Sequence, residues 1–204
     1  NDNGYAPVLE GVARLYGVTP AWVAAAQGCS GANFIAIAAL VGAGDEVLIE
    51  QPSYDPLVGA CRLLGARVVR VARRFEHRWQ FDLDDVRRQI TVRTKLIVVT
   101  SPHNPSGIRI DQAALLELGR AADRVGASVL VDEVYLDGAN LVGDEAARAL
   151  PAARLDGPFL STSSLTKSYG LAGLRCGWIV SRPEIAERCR RTRDVVDNAG
   201  NAPG

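Results

Sequence analysis

Five short runs of the chain are apolar or β-branched at nearly every position: VLIE (47–50), RVVRV (67–71), KLIVVT (95–100), SVLVD (128–132) and PFLST (158–162). A strand with one wet face alternates apolar and polar residues. These runs do not, so both of their faces require burial, the condition of interior strands in a parallel sheet. Parallel neighbours cannot be joined by a tight hairpin and need a crossover, usually a helix. GANFIAIAALVGAG, DLDDVRRQI and DQAALLELGRAADRVG supply that spacing, with Asp82 and Asp111 at N-cap positions and Gly42 and Gly126 at C-cap positions. The pattern predicts an α/β fold, a mainly parallel sheet flanked by helices. A last helical run (183–196) leaves this alternation and leads into a loop-like end, DNAGNAPG.

With 204 residues, 48% of them hydrophobic and 23% charged, the chain can bury a substantial core. A formal net charge of zero gives no general attraction to nucleic acid or anionic membrane, and no apolar run reaches the length of a membrane span. Cys29, Cys61, Cys176 and Cys189 lie far apart without CxxC spacing, and no signal peptide opens the sequence. That suits scattered thiols in a reducing cytosol. His77 and His103 stand alone, which leaves no Cys/His cluster for zinc. The expectation is a cytoplasmic protein with no metal, nucleic-acid or membrane partner.

In open α/β sheets the ligand lies beyond the carboxyl ends of the strands. KLIVVT runs into SPHNPSG and puts Asn104 just past a strand end; SVLV runs into DEVY, which places Asp132 at the end and Tyr135 three residues on. PFLST runs into SSLTK and Lys167, one of only two lysines in the chain, with Arg175 eight residues later. An amide, a carboxylate, a phenol and an amine then share one rim. A fourth stretch, QGCSGAN, sets Gly28, Cys29 and Ser30 at a helix start, where free N–H groups favour an anion.

Taken singly, each of these residues has a structural reading: a surface lysine, a capping aspartate, a solvent-facing arginine, a turn, a plain helix start. Other matches fall away. GAGDEV lacks the third glycine of a dinucleotide fingerprint and precedes a strand, and Ser164-Leu165-Thr166-Lys167 has the SxxK spacing without the SDN and KTG partners. His103 reads as a turn residue rather than a general base.

The order GCSGA, QPSYDP, SPHNPSG, VDEVY and SSLTKSYGLAGLRCGW, spread over nearly the whole chain, resembles the class I/II aminotransferases, the fold-type I enzymes that depend on pyridoxal 5'-phosphate (PLP). The resemblance implies that Lys167 bonds the cofactor as a Schiff base and moves protons. It implies that Asp132 faces the pyridine nitrogen and that Asn104 and Tyr135 donate to the phenolic oxygen. Tyr54 would stack on the ring, and Gly28, Cys29, Ser30, Ser164 and Arg175 would hold the phosphate. Gly170 and Gly173 would allow close backbone approach between Lys167 and Arg175. Cys29 stands where many members carry Gly or Ser, so its backbone would serve.

The implied activity is transamination between an amino acid and a 2-oxo acid in a homodimer. Two alternatives stay open: lyase or decarboxylase chemistry on the same scaffold, and a non-catalytic effector domain of a transcription regulator. Family members are longer at both ends. Residues 1–182 therefore correspond to a PLP-binding large domain, and residues 183–204 to a helix and loop leading toward a small C-terminal domain.

Overall fold

Residues 4–142 and 148–197 are described in the computed structural model. In chain order the elements are α1 (Ala6–Tyr16), β1 (Val23–Gln27), α2 (Gly28–Leu40), β2 (Glu46–Gln51), α3 (Asp55–Leu63), β3 (Arg67–Ala72) and α4 (Leu83–Gln89). Then follow β4 (Thr94–Thr100), α5 (Gln112–Asp123), β5 (Ser128–Asp132), α6 (Leu136–Val142), β6 (Phe159–Ser164), β7 (Cys176–Ser181) and α7 (Pro183–Val196). The strands form one sheet in the order β1-β7-β6-β5-β4-β2-β3. β2 to β6 run parallel, and β7 is antiparallel to both β6 and β1. Only β7 is reversed, so the carboxyl ends of the other six strands lie along one rim.

Burial on both faces explains why four of the runs show no alternation; RVVRV is the exception, because β3 stands at the sheet edge and only Val71 of it is fully buried. Val47, Ile49, Leu96, Val98, Leu130 and Leu160 pack on one side, with α2, α3 and α7. Leu48, Ile97, Val99, Val129, Val131 and Phe159 pack on the other, with α4 and α5. Every one of these strand residues is at most 3% exposed. Each run of about six such residues removes several large side chains from water, at roughly 1.5–3 kcal/mol per fully buried aliphatic group.

The caps expected of Asp82 and Asp111 form: their side chains accept the N–H groups of Asp85 (2.9 Å) and Ala114 (2.7 Å). Gly126 takes φ 70°, and Ala127 N–H returns to Ala122 C=O at 3.0 Å to close α5. Gly42 is not a cap. α2 ends earlier, at Leu40, because Val41 is extended (φ −123°), and Gly42 N–H instead donates to the Asp45 carboxylate at 2.9 Å.

Two strands were not among the expected runs. VAAAQ is poor in β-branched residues and becomes β1 only through its register with β7, Ala24 opposite Ile179 and Ala26 opposite Gly177. This is tertiary pairing overriding local preference. α7 folds back onto the body, burying Ala186 and setting Cys189 in the core shared with α2. Among the described residues no helix is long and apolar enough to cross a membrane.

Candidate active site

Asp132 ends β5 opposite Thr162 of β6, at the rim. Its carboxylate is 4% exposed and receives donors only. Cys29 Sγ (3.3 Å) and Val134 N (3.1 Å) donate to Oδ1, and Asn33 Nδ2 (2.7 Å) donates to Oδ2. An ionised carboxylate has about four acceptor directions, so one remains for a further donor. Burial raises its pKa, opposed by the bonds from Asn33, Val134 and Cys29. No cation pairs with it among the described residues. The Cys29 thiol is itself pushed well up, by burial and then by the Asp132 charge, and stays a protonated donor.

α2 begins directly beside this carboxylate. Gly28, at φ 69°, donates its N–H to Arg175 C=O at 2.7 Å. A Cβ on Gly28 would stand 2.5 Å from the Arg175 guanidinium, so the arginine lies against the start of α2. A Cβ on Gly177 would stand 2.5 Å from the Gly28 carbonyl oxygen. The antiparallel β1–β7 pair thus brings the two loops into backbone contact. Ser30 Oγ and Tyr54 Oη lie 3.4 Å apart, and Tyr54 precedes α3 with its ring 40% exposed. The first N–H groups of α2, the Arg175 guanidinium and the Ser30 hydroxyl make an anion-binding corner.

The other part of the rim is an open cleft of about 690 Å³, lined by Asn104, Tyr135, Thr166 and Lys167 among others. The Lys167 amine is exposed and makes no hydrogen bond or ion pair among the described residues. Its loop is strapped to α6: Ser168 Oγ accepts Gly138 N–H (2.9 Å), and Tyr169 Oη donates to Asp137 at 3.0 Å. Lys95, the second residue of β4, lies at the far end of its strand.

The residues singled out in the sequence therefore fall into three adjoining places. Asn104, Tyr135 and Lys167 share the cleft, Asp132 and Cys29 share the buried floor, and Gly28, Ser30, Tyr54 and Arg175 share the corner. Ser164 reaches the same rim but is fully buried, and its Oγ takes Thr166 N–H at 3.3 Å. His103 is buried between Ser106 Oγ (2.7 Å) and Pro52 C=O (2.9 Å), and burial lowers its pKa, which fits a turn residue. Gly170 and Gly173 do not make close approaches. No atom lies within 4 Å of a Cβ at either, and Gly170 is required only by its φ of 69°. The contact expected of them occurs instead between Gly28 and Gly177.

Sequence reasoning passed over Asn33 and Thr162. One signal was available: Asn33 is the sole polar residue between Gly31 and Gly42, in a helix that is otherwise apolar.

The family model for aminotransferase class I and II matches residues 3–196. Capreomycidine synthase of Streptomyces vinaceus is 39% identical over 170 residues, 83% of this chain and 43% of that protein. Methionine aminotransferase of Escherichia coli (strain K12) is 31% identical over 193 residues, covering 93% and 50%. The solved N-succinyldiaminopimelate aminotransferase from Mycobacterium tuberculosis matches with a TM-score of 0.88 at 31% identity, over 100% of this chain and 55% of that one. A PLP-dependent aminotransferase from Streptococcus suis gives 0.86 at 30%, over 97% and 52%. The chain thus spans about half the length of the relatives it matches. With a match that runs through every part of the rim described above, the chain belongs to the aminotransferase class I and II family.

Proposed function

We propose that this chain is the cofactor-binding body of an enzyme that transfers an amino group between an amino acid and a 2-oxo acid, with PLP held at the rim. One observation carries the reading. A buried carboxylate surrounded only by neutral donors shares a rim with an unpaired lysine amine and an anion-binding helix start.

The residues fit the cofactor. Its phosphate matches the corner of Gly28, Ser30 and Arg175, where N–H groups and a guanidinium converge. Its protonated ring nitrogen matches Asp132, whose fourth acceptor direction remains unused and whose charge burial otherwise disfavours. PLP supplies, when bound, an electron sink for the substrate Cα carbanion.

The chain's own groups do the rest. Lys167 provides an amine for covalent attachment and, once released, a base that carries a proton to or from the substrate Cα. Asn104 and Tyr135 stand on the same cleft wall as polar groups to orient the ring oxygen. Tyr54 offers an aromatic face beside Ser30. Ser164 belongs to the same proposal as a phosphate ligand, although here its hydroxyl is buried and accepts Thr166 N–H. A homodimer belongs to the same proposal, supported by the exposed apolar Leu171 and Leu174 in the loop after Lys167, and so does a cytoplasmic setting, supported by four unpaired cysteines. The unit 1–182 as the cofactor-binding domain belongs to it as well.

The test is chemical. Borohydride reduction of the protein incubated with PLP should fix the cofactor on the peptide bearing Lys167. Lys167→Ala should lose that label and the absorbance of the bound cofactor, and Lys95→Ala should keep both. Labelling on Lys95, or no saturable labelling at all, would sink the reading.

A further inference from the structure

We propose that Asn33 and Thr162 are positioning residues that keep the Asp132 carboxylate ionised and aimed for the cofactor's ring nitrogen, an inference that rests on the PLP reading above. Three elements meet at this point. Thr162 of β6 donates its hydroxyl to Asn33 Oδ1 at 2.6 Å, and Asn33 of α2 donates Nδ2 to Asp132 Oδ2 of β5 at 2.7 Å. Asn33 and Thr162 are 3% and 0% exposed, so no water competes for these bonds.

An asparagine amide can turn either its oxygen or its nitrogen toward a neighbour. Here Thr162 gives its hydroxyl proton to Oδ1, and the amide presents its N–H groups toward Asp132. An N–H cannot accept, so Asp132 Oδ2 must, and the charged form is favoured. Cys29 Sγ and Val134 N–H impose the same demand on Oδ1. Asn33 Nδ2 also lies 3.8 Å from Cys29 Sγ, which packs the thiol against the carboxylate it serves.

The titratable groups around Asp132 bring it no positive charge. Cys29 comes from α2, and Glu133 directly follows β5. Beyond them Asp137 of α6 acts on Glu133, and Tyr16 of α1, raised first by burial, also feels Glu133, Asp137 and Cys29. All four are acids, which repel the Asp132 charge when ionised, and of them only the protonated Cys29 thiol donates to it. Holding the carboxylate ionised in so dry a place therefore falls to neutral donors, and Asn33 is the side-chain donor at the shortest distance.

Thr162 also allows packing to be separated from hydrogen bonding. Valine matches threonine in shape and lacks the hydroxyl; serine keeps the hydroxyl and lacks the methyl. The Asp132 carboxyl can be followed by carbon-13 NMR in the protein without PLP, its signal assigned by loss in Asp132→Asn. PLP affinity is measured separately by equilibrium dialysis. Asn33→Leu should raise the Asp132 pKa and weaken PLP binding about ten- to a hundredfold, as expected for loss of a hydrogen bond to a charged group. Thr162→Val should act in the same direction by about two- to tenfold, a neutral bond's share. Thr162→Ser should stay close to the parent protein in both measurements.

A role in packing alone would reverse the Thr162 pair, with Val like the parent and Ser defective, and would overturn the proposal. So would an unchanged Asp132 titration in both Asn33→Leu and Thr162→Val. If Asn33→Leu fails to fold, the Thr162 pair still decides. A parent protein that binds no PLP defeats the cofactor reading, and the NMR titrations then decide the network independently.

Discussion

A methyl group added at Gly177 would sit 2.5 Å from the Gly28 carbonyl oxygen, whereas one added at Gly173, four residues earlier, would meet no atom within 4 Å. The same contrast runs through the site. Its floor (Cys29, Asn33, Asp132, Thr162) is buried and hydrogen-bonded across three elements. Its wall, from Lys167 to Arg175, is largely exposed, with Leu171 at 47% and Leu174 at 49%. The floor is preorganised and admits one arrangement. The wall is tied to α6 through Ser168 and Tyr169, and its Lys167 amine makes no hydrogen bond or ion pair among the described residues. A site built this way fixes the charge and position of its deepest group in advance and leaves its outer groups available to a ligand.

The hardest test of that contrast is Gly177→Ala. The added carbon meets main-chain atoms of Gly28, including Cα at 2.7 Å, and no side chain can swing aside to relieve it. The β1–β7 register would have to shift. We expect a loss of about 3 kcal/mol or more in unfolding free energy by urea titration, at the upper end for overpacking. A loss below ~1 kcal/mol would mean that the two loops part readily and that the floor is less rigid than drawn.

At the junction of floor and wall stands Arg175, whose guanidinium lies over Gly28. Arg175→Ala should weaken PLP binding by about 1.5–3 kcal/mol, the worth of a charge-assisted bond to phosphate. The control has to be an arginine with no structural duty. Arg190 is unsuitable: it does not face outward on α7 but reaches Ala21 C=O (3.2 Å) and Val23 C=O (3.0 Å). Arg191, 78% exposed and paired with Glu187, is the better choice. Equal PLP affinity in Arg175→Ala and Arg191→Ala would remove Arg175 from the anion corner.

Behind Asp132 the floor continues into Glu133, and here satisfaction fails. Oε1 accepts Ala152 N–H at 2.7 Å, Oε2 makes no hydrogen bond, and burial pushes the carboxyl up to about 8. The folded protein therefore holds this proton more tightly than the unfolded chain does. The contribution is fully present below the unfolded value of 4.5 and is lost as pH rises through about 8. Between pH 6 and 7 stability should fall by at most about 1.4 kcal/mol from this group. Glu133→Gln, which resembles the protonated acid, should remove that slope and leave PLP binding unchanged. A slope that persists in Glu133→Gln would assign it to Glu50 or Asp132, whose pKa values burial also raises.

How much of this was legible in the sequence follows from range. The interior strands showed themselves because burial on both faces leaves a local mark in runs such as KLIVVT and SVLVD. The rim residues followed from the rule about strand ends, which needs no knowledge of which strands are neighbours. β1 was illegible because Ala24 to Ala26 pair with residues more than 150 positions away. The Gly28–Gly177 contact depends on that pairing, so the requirement for small residues was placed on Gly170 and Gly173 instead. The Thr162–Asn33–Asp132 chain spans 129 positions at its longest bond. Only the odd polarity of Asn33 within α2 hinted at it.

The smallest predicted effect lies on the wall. Gly173 is the middle residue of a 3-10 turn, Ala172–Leu174, and its φ is not positive. Alanine can adopt that backbone without strain and would meet no described atom within 4 Å. Its main consequence is then on the unfolded chain, which has fewer conformations to lose. Gly173→Ala should stabilise the protein by about 0.4–1 kcal/mol by urea titration. PLP affinity should not change, because the residue makes no contact with Arg175's side chain or with the Gly28 corner. A stabilised variant with weakened PLP binding would break the contrast in an informative way. It would show that the wall closes around the bound cofactor and that the space at Gly173 is filled in the loaded enzyme.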